Sequence, residues 1–288
     1  MCGIVGIFGH AEASTLAYLS LYALQHRGQE SAGIVTLDGN EPVRHASMGH
    51  VAEVFSRDVL DRLPGSAAIG HVRYSTTGQS KLMNAQPILV RFRGGSLAAA
   101  HNGNLVDSDR LRSTLEAGGS NFRTTTDTET ILNLVARADS KRPQQLADDI
   151  PEVLEEALAD VHGAYSVVFM NVGRLLAVRD PRGNRPLSFG SLANGGWAVA
   201  TESCGLDLVG AKLVREIDPG EIVIVREEGP ESHRIKEERS PESVCIFEYI
   251  YFSRPDSIVG GIAVDAVRRE LGRELAREHP VPADIVIS

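Results

Sequence analysis

Apolar residues along the chain come in short runs. Residues 4–8, 67–72, 97–100, 164–170, 174–178, 197–200 and 221–225 are nearly continuous apolar stretches of strand length. Gly, Asn, Asp or Pro bounds them, and they predict buried strands. Residues 34–37 make another, and the Asp38-Gly39 turn after them is a hairpin signal, so an antiparallel pair is expected there.

Four other stretches repeat with helical period. Leu16, Leu19, Tyr22 and Ala23 form a stripe over residues 15–25, with Ser14 placed as a cap. Ile131, Leu132, Leu134 and Val135 follow Thr126 and Glu129, whose spacing is that of a capping box. Leu146, Ile150, Val153, Leu154, Ala157 and Leu158 repeat over residues 143–160, with a break or kink expected at Pro151. Val264, Val267, Leu271, Leu275 and Ala276 line one face over residues 263–279. Helices followed by many adjacent strands predict an α+β protein of layered sheets with helices outside.

The character of the chain changes late. Residues 227–242 are polar and read as a surface loop closing one domain. A dense apolar-aromatic run over 244–252 follows, then a turn at 253–257, the last helix, and the start of a strand at 284–288. A strand after a helix normally leads into a loop that carries function, so these residues are expected to be the front of a longer protein.

Composition narrows the picture. At 288 residues and 42% hydrophobic, the chain suits one large domain or two modest ones. A net charge of -9 with scattered Lys and Arg argues against a nucleic-acid or anionic-membrane partner. Cys2, Cys204 and Cys245 are too few and too widely spaced for a disulfide framework, which fits a reducing cytoplasm. No apolar run approaches the roughly 18 residues of a membrane span, and no charged leader precedes the first strand.

Cys2 is the first candidate for chemistry. Removal of Met1 would give it a free α-amine of pKa about 7.7–8.0 beside a thiol of pKa about 8.5, a nucleophile with its own base. Alone, Met-Cys-Gly reads first as the start of an ordinary apolar strand, since free cysteines are commonly small buried hydrophobes. Residues 73–78 form a polar loop at a strand end, where sites tend to sit. His101-Asn102-Gly103-Asn104 could likewise be a plain hairpin corner.

Five motifs then occur in order: Cys2-Gly3-Ile4-Val5-Gly6, His26-Arg27-Gly28-Gln29-Glu30-Ser31-Ala32-Gly33, His71-Val72-Arg73-Tyr74-Ser75-Thr76, His101-Asn102-Gly103-Asn104 and Thr126-Asp127-Thr128-Glu129. Together they resemble the class II glutamine amidotransferases over residues 2–225. Phe247-Glu248-Tyr249-Ile250-Tyr251-Phe252-Ser253-Arg254-Pro255-Asp256-Ser257 resembles the junction segment of the branch that uses phosphoribosyl pyrophosphate to open purine synthesis.

The resemblance implies an N-terminal-nucleophile hydrolase fold, a four-layer αββα sandwich, over residues 2–235. The junction and the start of an α/β phosphoribosyltransferase-type domain would occupy 236–288. It implies that Cys2 attacks L-glutamine, that Asn102 and Gly103 receive the oxyanion, and that Arg73 and Asp127 take the α-carboxylate and α-ammonium. The residues suit these roles, although Arg73 and Asp127 could also form a structural ion pair. Arg27 would hold the backbone near Cys2, with Thr76 and Gly28 lining the pocket.

No cofactor is implied for the glutaminase half, while the full enzyme would need Mg2+ and phosphoribosyl pyrophosphate. Some members bind a 4Fe-4S cluster through a cysteine at the place of Cys245 plus three later ones. A buried free thiol is the other reading, and the three partners are not in this chain. A homo-oligomer is expected. Competing readings are a catalytically silent glutamine-binding or scaffold fragment and an amidotransferase making amino sugars, asparagine or glutamate. The junction segment speaks against the latter.

Overall fold

A computed structural model describes residues 1–75, 78–93, 95–142, 150–193, 195–235 and 242–287. In chain order the elements are β1 (Gly3–Phe8), α1 (Ala13–Ala23), β2 (Ser31–Asp38), β3 (Glu41–Met48), the short helices α2 (Val51–Val54) and α3 (Arg57–Leu60), β4 (Ala67–Arg73), β5 (Ile88–Phe92) and β6 (Gly95–Leu105). Then come α4 (Ser108–Ala117), α5 (Asp127–Ser140), α6 (Ile150–Leu158), β7 (Gly163–Asn171), β8 (Arg174–Arg179), β9 (Ser188–Ser191) and β10 (Trp197–Ala200). The last are α7 (Ser203–Asp207), β11 (Lys212–Glu216), β12 (Glu221–Arg226), β13 (Gly229–Arg234), the two-residue strands β14 (Ile258–Val259) and β15 (Ile262–Ala263), and α8 (Val264–Glu278).

Two antiparallel sheets carry the architecture. The first has the order β11-β9-β10-β1-β4-β2-β3 and the second β13-β12-β8-β7-β6-β5. Side-chain alternation divides their residues among three cores. Ile4 and Phe8 of β1 face Val168, Met170 and Leu175 of the second sheet, while Val5 and Ile7 face α1. Leu97, Ala99 and Leu105 of β6 pack instead under α4, α5 and α6. The result is the expected α+β sandwich with layers in the order αββα. Among the described residues, no helix is long and apolar enough to cross a membrane.

Several details differ from the sequence expectations. Ser14 is not a cap, because α1 starts at Ala13 and Ser14 is buried in its first turn. The helix stops at Ala23, and Gln25–Arg27 form a tighter turn. The Thr126–Glu129 capping box does not form. Thr126 makes no capping bond, and the Glu129 carboxylate accepts the N–H groups of Arg123 and Thr124 at 2.9 and 2.6 Å, strapping the incoming loop to the helix.

Asn102-Gly103 is no hairpin corner, because β6 runs straight through it and pairs with β7 from Leu105↔Gly163 to Ala98↔Met170. Residues 229–234, read as loop, pair with β12 as an edge strand. Residues 284–287 form no strand and lie exposed, paired with no strand among the described residues. Pro151 is the second described residue of α6, and the stretch before Ile150, on which the expected break or kink depends, lies outside the described residues. The start expected for that helix, at 143–149, lies outside the described residues.

Candidate active site

A small, partly open pocket lies where the ends of β1, β4 and β6 meet, and Cys2, Arg73, Tyr74, Gln86, His101, Gly103 and Asp127 are among its lining residues. The first sheet supplies Cys2 and Arg73, and the second supplies Gly103. Asp127 is the first residue of α5, where a helix N-terminus favours a carboxylate.

Cys2 is buried at the start of the central strand β1. The backbone of Tyr74 brackets its sulfur, with the amide nitrogen and the carbonyl oxygen each 3.5 Å from Sγ. Burial pushes the thiol up from its ordinary value, while the Tyr74 backbone, the N-terminal ammonium and Arg73 pull it down. The Met1 sulfur lies against Arg185. Burial first, and then Arg27 and Arg185, bring the Met1 amine down to about 6, against the opposing pull of the Cys2 sulfur.

The Cys2 N–H donates to Asn102 Oδ1 at 3.0 Å. That bond orients the amide, and Nδ2 is left buried without a partner among the described residues. The main-chain N–H of Gly103 points the same way by strand alternation. His101 N–H donates to Gln86 Oε1 at 2.9 Å and Leu105 N–H to Asp127 Oδ2 at 3.1 Å, so Gly103, between them, turns its N–H to the pocket edge. A side chain at 103 would set its Cβ 2.0 Å from the Ala164 carbonyl oxygen, which only glycine avoids.

Arg73, 2% exposed, reaches Glu30 Oε2 and the Gln79 carbonyl, both at 3.2 Å. Glu30 also accepts the Ser75 N–H and hydroxyl at 2.7 Å each. Asp127 is buried, which opposes its ionisation, but His101 Nδ1 at 3.3 Å and the Leu105 N–H outweigh this and hold its carboxyl below the ordinary range. The pocket thus presents an arginine and an ionised aspartate beside the thiol.

The remaining sequence candidates are placed differently. Arg27 is fully buried behind the pocket, its Nε donating to the Cys2 carbonyl at 3.0 Å. Gly28 is not among the lining residues: a Cβ there would lie 2.5 Å from the Arg73 backbone, so glycine lets β4 and the 25–28 turn touch. Thr76 lies outside the described residues. Cys245 is half-buried, with its N–H 3.4 Å from the Asn184 carbonyl. Among the described residues no group of three or more His, Cys, Asp or Glu side chains could hold a metal ion. With Cys2 and Cys204 both buried, Cys245 has no donor set for a cluster in these residues.

Sequence reasoning missed the carboxylates around Arg27. Glu202 and Glu248 both grip its guanidinium, Glu248 as a fork at 2.8 and 2.9 Å. Each sits in an apolar stretch of sequence, and that was the available signal, because a buried carboxylate has to be paired. Tyr74 meets Phe252 edge to face at 6.4 Å.

The chain also resembles known proteins. Residues 71–207 match the model of a glutamine amidotransferase domain. Over all 288 residues the chain is 48% identical to amidophosphoribosyltransferase 2, chloroplastic, of Arabidopsis thaliana, covering 50% of that protein. A solved allosteric regulatory enzyme of purine biosynthesis superposes with a TM-score of 0.91 at 43% identity, over 98% of this chain and 59% of that one. The glutamine phosphoribosylpyrophosphate amidotransferase of B. subtilis does so at 0.89 and 42%, over 98% and 60%. The chain spans about half the length of the curated relatives it matches, from 49% to 60%. The chain is therefore similar to a glutamine amidotransferase domain over residues 71–207 and to amidophosphoribosyltransferases over its whole length.

Proposed function

We propose that this chain hydrolyses L-glutamine to glutamate and ammonia through a thioester on Cys2. The observation that carries the reading is a convergence on one pocket. A buried thiol and Gly103 line it with Arg73 and Asp127, and Asn102, between the lining residues His101 and Gly103, accepts the Cys2 N–H and keeps a buried Nδ2 with no partner among the described residues.

Removal of Met1 leaves an α-amine on Cys2, held by Asn102 Oδ1 and adjacent to the thiol. The amine takes the thiol proton as Sγ attacks the γ-carbonyl carbon. Negative charge then collects on the amide oxygen, where Asn102 Nδ2 and the Gly103 N–H serve as donors, each worth about 3 kcal/mol in comparable sites. The proton passes to the leaving nitrogen, the C–N bond breaks, and ammonia departs. Water, deprotonated by the same amine, attacks the thioester and releases glutamate. Arg73 and Asp127 select free glutamine through its α-carboxylate and α-ammonium, with Gly28 letting its turn pack against the Arg73 backbone and Arg27 supporting Cys2.

For the whole protein, we propose that the ammonia converts phosphoribosyl pyrophosphate to phosphoribosylamine, the first committed step of purine synthesis. Mg2+ would hold the diphosphate there, and the glutaminase step needs no cofactor. Residues 2–235 form the glutaminase unit and 236–288 the junction and start of a phosphoribosyltransferase-type domain in this reading. A 4Fe-4S cluster through Cys245 would require cysteines from outside these residues. The proposed setting is a cytoplasmic homo-oligomer without nucleic-acid or membrane partners.

Intact mass before and after incubation with a glutamine-like diazoketone tests the reading. Loss of Met1 and one adduct mapped to Cys2 are expected. A chain lacking Met1 that stays unmodified would overturn the glutaminase reading in favour of a silent binding module.

A further inference from the structure

The chemistry above uses neither Glu202 nor Glu248, yet both are 0% exposed. Burying two carboxylates against one guanidinium is unfavourable unless every partner is in place. Here the partners come from two parts of the chain. Glu202 follows β10; its Oε1 meets Arg27 and, at 2.8 Å, His26 Nε2. Its Oε2 accepts the Arg254 N–H at 2.8 Å and the Ser257 hydroxyl at 2.7 Å. Glu248 lies in a wide helical turn over Glu248–Phe252, closed by a Ser253 N–H to Glu248 carbonyl bond of 3.0 Å. The Ser253 hydroxyl donates to Glu248 Oε2 at 2.6 Å.

Residues of this one segment fix the orientation of Arg27. The Phe252 ring lies 4.8 Å from the guanidinium carbon and sets the plane of the group. The Glu248 fork engages Nη1 and Nη2 and sets the rotation within that plane. Nε is then directed at the Cys2 carbonyl.

We propose that Glu248 is a positioning residue for Cys2: it holds Arg27 in the orientation that fixes the Cys2 carbonyl, so that seating of residues 244–257 and reactivity of the thiol are one event. The inference rests on reading Cys2 as the nucleophile. With the carboxylate neutralised, Glu202 alone directs Arg27, and the guanidinium turns away from the Cys2 carbonyl. The thiol then sits off line while Arg73 and Asp127, neither of which is hydrogen-bonded to Arg27 or Glu248 among the contacts described, still bind the amino-acid end of the substrate.

The test compares wild type with Glu248→Gln, using the diazoketone to measure both the maximal rate of Cys2 alkylation and the half-saturating concentration. The maximal rate should fall about ten- to hundredfold, the scale of small misplacements of a reacting group. The half-saturating concentration should stay within about threefold, since the binding residues are untouched. An unchanged maximal rate in folded Glu248→Gln overturns the proposal, as does a loss carried mainly by half-saturation. If that variant does not fold, Ser253→Ala removes one hydrogen bond from the same carboxylate. A maximal rate about two- to tenfold lower supports the proposal, and equality with wild type overturns it. A wild type that is not alkylated at Cys2 removes the nucleophile reading and this inference together; alkylated wild type with unaffected variants removes this inference alone.

Discussion

The sandwich and the 244–257 segment are packed in opposite senses. In the sandwich, apolar side chains such as Ile4, Leu132 and Val168 are fully buried and strand or helix faces set the polarity. In the segment, Glu248, Ser253 and Ser257 are buried, while Ile246, Phe247, Ile250 and Tyr251 are between 44% and 63% exposed. One region is held by the removal of apolar surface from water, the other by charge-assisted hydrogen bonds around Arg27. Apolar packing tolerates small shifts of its parts, whereas a forked ion pair fixes angles. The second kind of attachment is suited to setting the geometry of the carbonyl next to a nucleophile.

The largest effect that would break this contrast is expected at Arg27. Arg27→Met leaves Glu202 and Glu248 buried without their cation, and breaking such a pair from one side costs about 3–5 kcal/mol. Urea unfolding should show the loss, and limited proteolysis should open residues 244–257 first. Cleavage that begins in the sandwich would mean that the segment is held by something other than the cluster.

The next sharpens the role of apolar burial. Leu132 in α5 is fully buried and Leu275 in α8 is 61% exposed, although both lie on the apolar stripe of their helix. Leu132→Ala should cost about 2–5 kcal/mol by urea unfolding, and Leu275→Ala no more than about 0.5 kcal/mol. Similar losses at both sites would show that the α8 stripe is covered in solution.

A third effect is graded with pH. Burial lowers His71 to about 3, so between its ordinary value near 6.5 and that point the unfolded chain binds a proton that the folded chain refuses. Stability therefore falls as pH drops through this window, by about 1.4 kcal/mol per unit. Burial would raise Glu202, but Arg27 and His26 bring it down to about 2. Its contribution is present above its ordinary 4.5 and is lost as pH falls from there toward 2. Urea midpoints should decline from pH 6.5 and more steeply below 4.5, and His71→Asn should remove the upper part of the decline. A wild-type midpoint that is constant from pH 6.5 to 4.5 would contradict the burial of a neutral His71.

These contrasts mark what the sequence could reveal. Central strands such as β1, β4 and β7 are apolar on both faces and stand out as continuous runs. Edge and outer strands do not: Glu41, Pro42, Arg44 and His45 of β3 give a polar stretch whose strand character comes from pairing with β2. Asn102-Gly103 carries a turn signal, and only the β7 neighbour keeps it extended. The pocket residues were legible because they cluster in motifs. Glu202 and Glu248 were not, since their partner Arg27 lies 175 and 221 residues away, and nothing local points to it.

That separation also has a meaning in time. A ribosome adds about 5–20 residues per second, so the 221 residues between Arg27 and Glu248 correspond to roughly 10–45 s of synthesis. The thiol is made well before its full surroundings are. Through that interval Cys2 is present without the Glu248 fork behind Arg27, so its final geometry waits on the late segment.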